Sequence, residues 1–389
     1  MKISFDNTEI AFSGKSDADL TRAYILFNMV SSMQMVKIGK KLTDFSIKLN
    51  LPIKGLIKAT IFKQFCGGET IAECDKTIAN LADYKIKTIL DYSVEGKESE
   101  LEFERTTTQL IATIEKAKTS QNIPFSVFKV TGIARFNLLE KVNSNCVLTE
   151  AEKQEWEKVI SRFDHICKTA FLSGIPVLID AEESWIQDAI DELALKMMRL
   201  YNNEKAIVYN TLQMYRTGRI NYLEELLMKA KAEKFFIGMK LVRGAYMEKE
   251  RTRAIEMNYT SPIHVDKLGV DKDYDRALLF CIENFYEISI CAGTHNEASA
   301  LYLAELMDEF KIEKNNPKIY FAQLLGMSDH ISYNMAKVGY NVAKYVPYGP
   351  VKEILPYLIR RAEENTSVAG QTSRELSLIL KERKRRKGH

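Results

Sequence analysis

Residues 206–244 read AIVYNTLQMYRTGRINYLEELLMKAKAEKFFIGMKLVRG. The run opens on one short apolar stretch, 206–210, and closes on another, 235–244. Between them NYLEELLMKAKAEK (221–234) spaces its apolar residues as one face of a helix. Strand, amphipathic helix and second strand form a unit whose strands run parallel, because the helix returns the chain across the sheet and covers it.

The alternation extends in both directions. Strands are predicted at 85–92, 124–132, 176–182, 206–210, 235–244, 288–295, 319–326 and 341–346, with helices such as 101–118 and 149–173 between them. Eight such units in succession predict an α/β protein with a (β/α)8 TIM barrel. Residues 1–85 read differently. Helical periodicity over 17–50, a turn at CGGET (66–70) and a helix at 71–84 predict a helical arm packed on the barrel. The barrel is expected over 86–370. Residues 371–389 are expected to hold a helix end and a basic tail, KERKRR at 381–386, solvated and frayed. The polar stretch 248–275 after the fifth strand is expected to be irregular, a lid or binding loop.

At 389 residues, with 46% hydrophobic and 28% charged residues, the chain has ample core. A net charge of +3 is too small to imply a nucleic-acid partner. Six cysteines form no CxxC pair and no zinc spacing with the five histidines, so no metal site is expected. Neither GxGxxG after the first strand nor GxxxxGK[ST] is present, which argues against Rossmann and P-loop sites. MKISFDNTEIAF lacks a basic start followed by an apolar core, and no segment is apolar enough to span a bilayer. A cytoplasmic protein is the expectation.

A barrel of this kind presents its reactive groups at the C-terminal ends of the strands. There the sequence places Asp91 and Glu95, Lys129, Asp180, Gln213, Lys240 with Arg243, then Thr294, His295 and Asn296, Gln323 and Tyr345. Beyond the last strand Tyr357, Arg360, Arg361 and Glu364 recur on one helix face. Singly, each has a plain alternative: Asp180 as a helix cap, Lys129 paired with a carboxylate across the barrel mouth, His295 as a structural histidine. Together they describe a cationic site edged by carboxylates and aromatic rings, suited to a small anionic substrate, an anionic cofactor, or both.

At these residues the chain resembles the proline dehydrogenase family, in its monofunctional, mitochondrial-like branch. The matching segments are VFKVTG (127–132), LIDAEE (178–183), YNTLQMY (209–215), KLVRGAY (240–246), GTHN (293–296), FAQLLGM (321–327) and KYVPYGPV through YLIRRAEEN (344–365). The resemblance implies a distorted (β/α)8 barrel that binds FAD non-covalently and oxidises L-proline to 1-pyrroline-5-carboxylate. Electrons would pass to a membrane quinone, ubiquinone or menaquinone, with the basic tail as a possible peripheral contact on the inner face of the membrane. Arg360 and Arg361 would clamp the proline carboxylate with Lys129, while Leu324, Tyr345 and Tyr357 pack around the ring. Asp180 and Lys240 would be catalytic. Gln213, Lys240, Val242, Arg243, Gly244, Thr294, His295, Asn296 and Glu364 would hold the flavin, and Glu95 would gate the site. Where bifunctional bacterial relatives carry arginine beside the flavin, this chain has Lys240, which keeps the charge and loses the bidentate fork. A Schiff-base aldolase or lyase, with Lys129 or Lys240 as nucleophile, is the competing expectation.

Overall fold

A computed structural model describes residues 3–30, 54–94, 97–358 and 371–388. Eight strands, β1 (Ile86–Tyr92), β2 (Phe125–Lys129), β3 (Val177–Asp180), β4 (Val208–Gln213), β5 (Ile237–Val242), β6 (Ile288–Gly293), β7 (Ile319–Leu324) and β8 (Val342–Tyr348), close into a barrel in chain order. The pairs from β1 to β7 are parallel. The strands are buried along nearly their whole length, which is why they read as continuous apolar runs rather than alternating ones.

The chain divides into two compact units, Ile89–Ala322, and Met1–Thr88 with Gln323–His389. In the first, long helices follow the strands, and two of them start at signals plain in the sequence. Ser99 with Glu102 forms a capping box before Glu100–Lys118, and Thr149 with Glu152 forms another before Glu150–Ser173. Each box satisfies two amides that the helix start leaves open. The latter helix ends on Gly174 in the left-handed conformation (φ +66°).

The segment 248–275 departs from expectation. It holds the helix Met247–Glu256 and the start of the helix Lys267–Glu283. The first is charged almost all round and has no apolar stripe to betray it. It is fastened from outside instead: Lys249 pairs with Glu183 at 2.9 Å, Glu250 accepts from the Ser184 amide and hydroxyl, and Arg253 pairs with Glu140 and lies 4.5 Å over the Trp185 ring.

In the second unit the helix Asp17–Val30 packs with the C-terminal helix Gln371–Arg386. Phe12, Leu20, Phe27, Phe65, Ile354, Leu358 and Leu378 share one apolar cluster. The basic run 381–386 therefore lies on an ordered helix, not a frayed tail. Glu382, fully buried, holds Arg385 and Arg386, and Arg386 also reaches Asp17 at 2.8 Å and the carbonyls of Phe12 and Lys15. Among the described residues no helix is long and apolar enough to cross a membrane.

Candidate active site

The register of the sheet brings the first group together. Lys129 ends β2 opposite Asp180, which ends β3, and Lys240 lies on β5, two strands from Asp180. Pointing into the closed barrel, side chains from these non-adjacent strands meet. Lys129 Nζ donates to Asp180 Oδ2 at 2.9 Å, Lys240 Nζ donates to the other oxygen, and Asp91 Oδ2 on β1 lies 3.9 Å from Lys129 Nζ. Asp180 and Lys240 are 8% and 5% exposed. Burial alone would raise the Asp180 carboxyl, but the two ammonium groups outweigh it and hold it well below the usual range. Asp180 is an anion at neutral pH. It does not cap the helix Ser184–Tyr201, whose first amide goes to Glu250.

Arg243, just past β5, is fixed from three sides. Its guanidinium donates to Asp271 at 2.7 Å, Thr294 Oγ1 at 2.7 Å and Ser299 Oγ at 2.9 Å, and it stacks 4.3 Å over the Tyr274 ring. Burial works against the Asp271 carboxylate, yet hydrogen bonds from Lys267 and Arg243 keep its pKa low. Asn296 spends its side chain on the amides of Ala298 and Ser299, capping Glu297–Glu309, and donates its own amide to Thr294 Oγ1. Gly244 follows at φ +125°, where a Cβ would stand 2.4 Å from the Tyr215 ring, so only glycine fits. Past the strand ends the backbone pairing continues, with Met214 donating to Val242 and Tyr215 to Arg243. Gln213, the last residue of β4, is buried, and among the described residues nothing donates a hydrogen bond to its Oε1. His295 is half-buried.

The second unit holds the remaining expected residues that are described. Leu325 donates its amide to Tyr345 O at 2.8 Å, tying the end of β7 to β8. Tyr357 lies on a helix over 351–358 and belongs to the apolar cluster against which Leu324 packs. Glu95, Arg360, Arg361 and Glu364 lie outside the described residues.

Among the described residues the expected cations face carboxylates. Asp180 is shared by Lys129 and Lys240, and Asp271 by Arg243 and Lys267. Sequence reasoning also passed over Glu182. This buried carboxyl takes the amide and hydroxyl of Thr131, continuing the Lys129–Asp180 rung beyond the strands. Burial, reinforced by Glu183, pushes it up to about 7 against the Thr131 hydrogen bonds. The signal was there in LIDAEE: three acids directly after an apolar strand.

A family model described as proline dehydrogenase matches residues 74–374. The chain is 32% identical to proline dehydrogenase 1, mitochondrial, of Dictyostelium discoideum over 431 residues, covering 99% of this chain and 75% of that protein. It is 32% identical over 351 residues to the carbapenem antibiotics biosynthesis protein CarD of Pectobacterium carotovorum subsp. carotovorum, covering 90% and 91%. Among solved structures, proline utilization A (PutA) from Bdellovibrio bacteriovorus, inactivated by N-propargylglycine, has a similar fold with a TM-score of 0.72 at 19% identity. That match covers 92% of this chain and 38% of the longer protein. With the family model matched over most of its length and a relative aligned along nearly all of it, the chain belongs to the proline dehydrogenase family.

Proposed function

We propose that this chain oxidises L-proline to 1-pyrroline-5-carboxylate with non-covalently bound FAD and passes the electrons to a membrane quinone, ubiquinone or menaquinone, through peripheral contact with the membrane. The observation that carries the reading is the convergence of Lys129, Asp180 and Lys240 inside the barrel mouth, at the strand ends that match the family.

The residues present fit the cofactor. Gln213 Oε1 is a buried acceptor without a partner among the described residues, and the flavin ring carries an imide N–H that such an atom would take. Gly244, with the Tyr215 ring against it, turns the backbone sharply beside the anchored Arg243. Lys240, Val242, Arg243, Thr294 and His295 would complete the contacts, with Asn296 shaping the turn and Glu364 contributing from outside the described residues. When bound, the flavin supplies the two-electron acceptor.

The chain's own part is positioning and charge. Asp180 holds both ammonium groups and, as a fixed anion, is a poor proton acceptor at neutral pH. Lys240 so held favours negative charge developing near it as the hydride leaves C5 of proline. The nitrogen lone pair closes the C=N bond, and the N–H proton leaves to water. Lys129 with Arg360 and Arg361 would bind the carboxylate, Leu324, Tyr345 and Tyr357 would wall the ring from water, and Glu95 would gate entry. A lysine-based lyase finds no support, because both candidate amines already donate to Asp180.

An anaerobic visible spectrum taken before and after adding L-proline tests the reading. A flavin absorption that bleaches with proline is the expected result; a protein that takes up no flavin, or whose flavin stays oxidised, overturns it.

A further inference from the structure

The turn after β7, Leu324–Leu325–Gly326–Met327–Ser328, passes through two left-handed residues, Gly326 at φ +77° and Ser328 at φ +50°. Serine adopts that conformation only where its surroundings enforce it. Here the enforcement comes from distant parts of the sequence. Gln64 Nε2 in the N-terminal arm donates to Gly326 O at 2.9 Å, and the Gln64 carbonyl lies where a Cβ on Gly326 would stand. Lys344 on β8, with no solvent-exposed surface, donates to Met327 O at 2.5 Å and pairs with Asp329 at 2.8 Å; Lys15 approaches that carboxylate at 3.6 Å. Glu375 on the C-terminal helix, 3% exposed, accepts the Ser328 amide at the start of the helix Asp329–Lys337 and lies 4.0 Å from His330.

A buried lysine and a buried glutamate are a poor route to stability alone, since well-packed apolar residues of the same volume often do as well. Their use here is to specify one geometry. The turn begins at Leu324, and Lys344 directly precedes Tyr345, whose carbonyl takes the Leu325 amide. We propose that Glu375 and Lys344 are positioning residues that set this turn, so that Leu324 and Tyr345 present one fixed wall to the substrate ring. The C-terminal helix and the N-terminal arm thereby become working parts of the site. The functional half of this inference rests on the reading of Leu324 and Tyr345 as ring contacts.

The test is Glu375→Leu in the full, flavin-loaded chain, with Glu375→Gln as its conservative partner. Loss of the acceptor should speed hydrogen exchange of the amides in 325–330 and raise KM for L-proline, each roughly tenfold, with kcat within about threefold. Glu375→Gln, which keeps a carbonyl oxygen for the Ser328 amide, should restore both. Parent-like exchange and KM in Glu375→Leu overturn the proposal, as does a fall in kcat with KM for proline unchanged. If Glu375→Leu does not accumulate, Gln64→Leu removes the side-chain donor to Gly326 O and must raise KM in smaller measure; a parent KM there overturns the proposal equally. A parent protein that does not oxidise proline, while its 325–330 exchange still responds to Glu375→Leu, refutes the assigned function and leaves the clamp standing.

Discussion

Glu182 shows how far burial, reinforced by a like charge at Glu183, can move a group in this barrel. Its carboxyl stands near pH 7 in the fold against 4.5 for an ordinary glutamate, so the folded chain keeps a proton that the unfolded chain gives up. That contribution is complete below about pH 4.5, declines as pH rises, and is gone above about 7. Glu182→Gln keeps an acceptor for the Thr131 amide and a donor for its hydroxyl while removing the titration. Thermal unfolding of the two proteins should diverge in favour of the variant by about 2–5 °C between pH 5 and 8. A difference that stays flat over that range means Glu182 is ionised throughout. Two residues earlier, Asp180 runs the opposite way, because two lysines face it and none donates to Glu182.

The helix Met247–Glu256 makes the corresponding point for whole segments. Glu250, fully buried, takes the amide and hydroxyl of Ser184 and so caps the helix Ser184–Tyr201 from another part of the chain. Glu250→Ala leaves that amide open and should cost about 2–3 kcal/mol in urea unfolding, a cap's worth plus the cavity. A loss under about 0.5 kcal/mol means water replaces the carboxylate without penalty. The strands were legible in the sequence because both faces are buried and most of their residues are apolar. The two long helices were legible through their amphipathic pattern, and the structure adds a capping box at each start. Met247–Glu256 was not, because hydrophobic periodicity carries no trace of a helix held by Glu183, Ser184 and Glu140. Pairing of Lys129 across the barrel mouth stood among the alternatives for that residue, whereas the carboxylate partners of Lys240 and Arg243, one on a strand and one on a helix, depend on which elements meet and cannot be read along the chain.

Over the molecule entire, residues from both ends of the sequence share one compact unit. Arg374 pairs with Asp6 at 3.0 Å, Lys381 donates to Asp6 O at 2.8 Å, and Arg383 stacks 4.8 Å over Tyr24, so the basic run works mostly inside the fold. Removing 381–389 should therefore lower Tm by roughly 5 °C or more and leave liposome binding unchanged. The reverse outcome, intact stability with lost liposome binding, would make the run a membrane contact. The backbone contact of Gly326 with Gln64 also bears on how the protein is made. The ribosome must deliver all of 89–322 between the arm and the turn it packs against, on the order of 10–50 s at ~5–20 residues per second. Through that interval the helix Asp17–Val30 has Phe62 and Phe65 beside it but not Gln371–Arg386, so part of the nascent arm's apolar surface stays open to a chaperone.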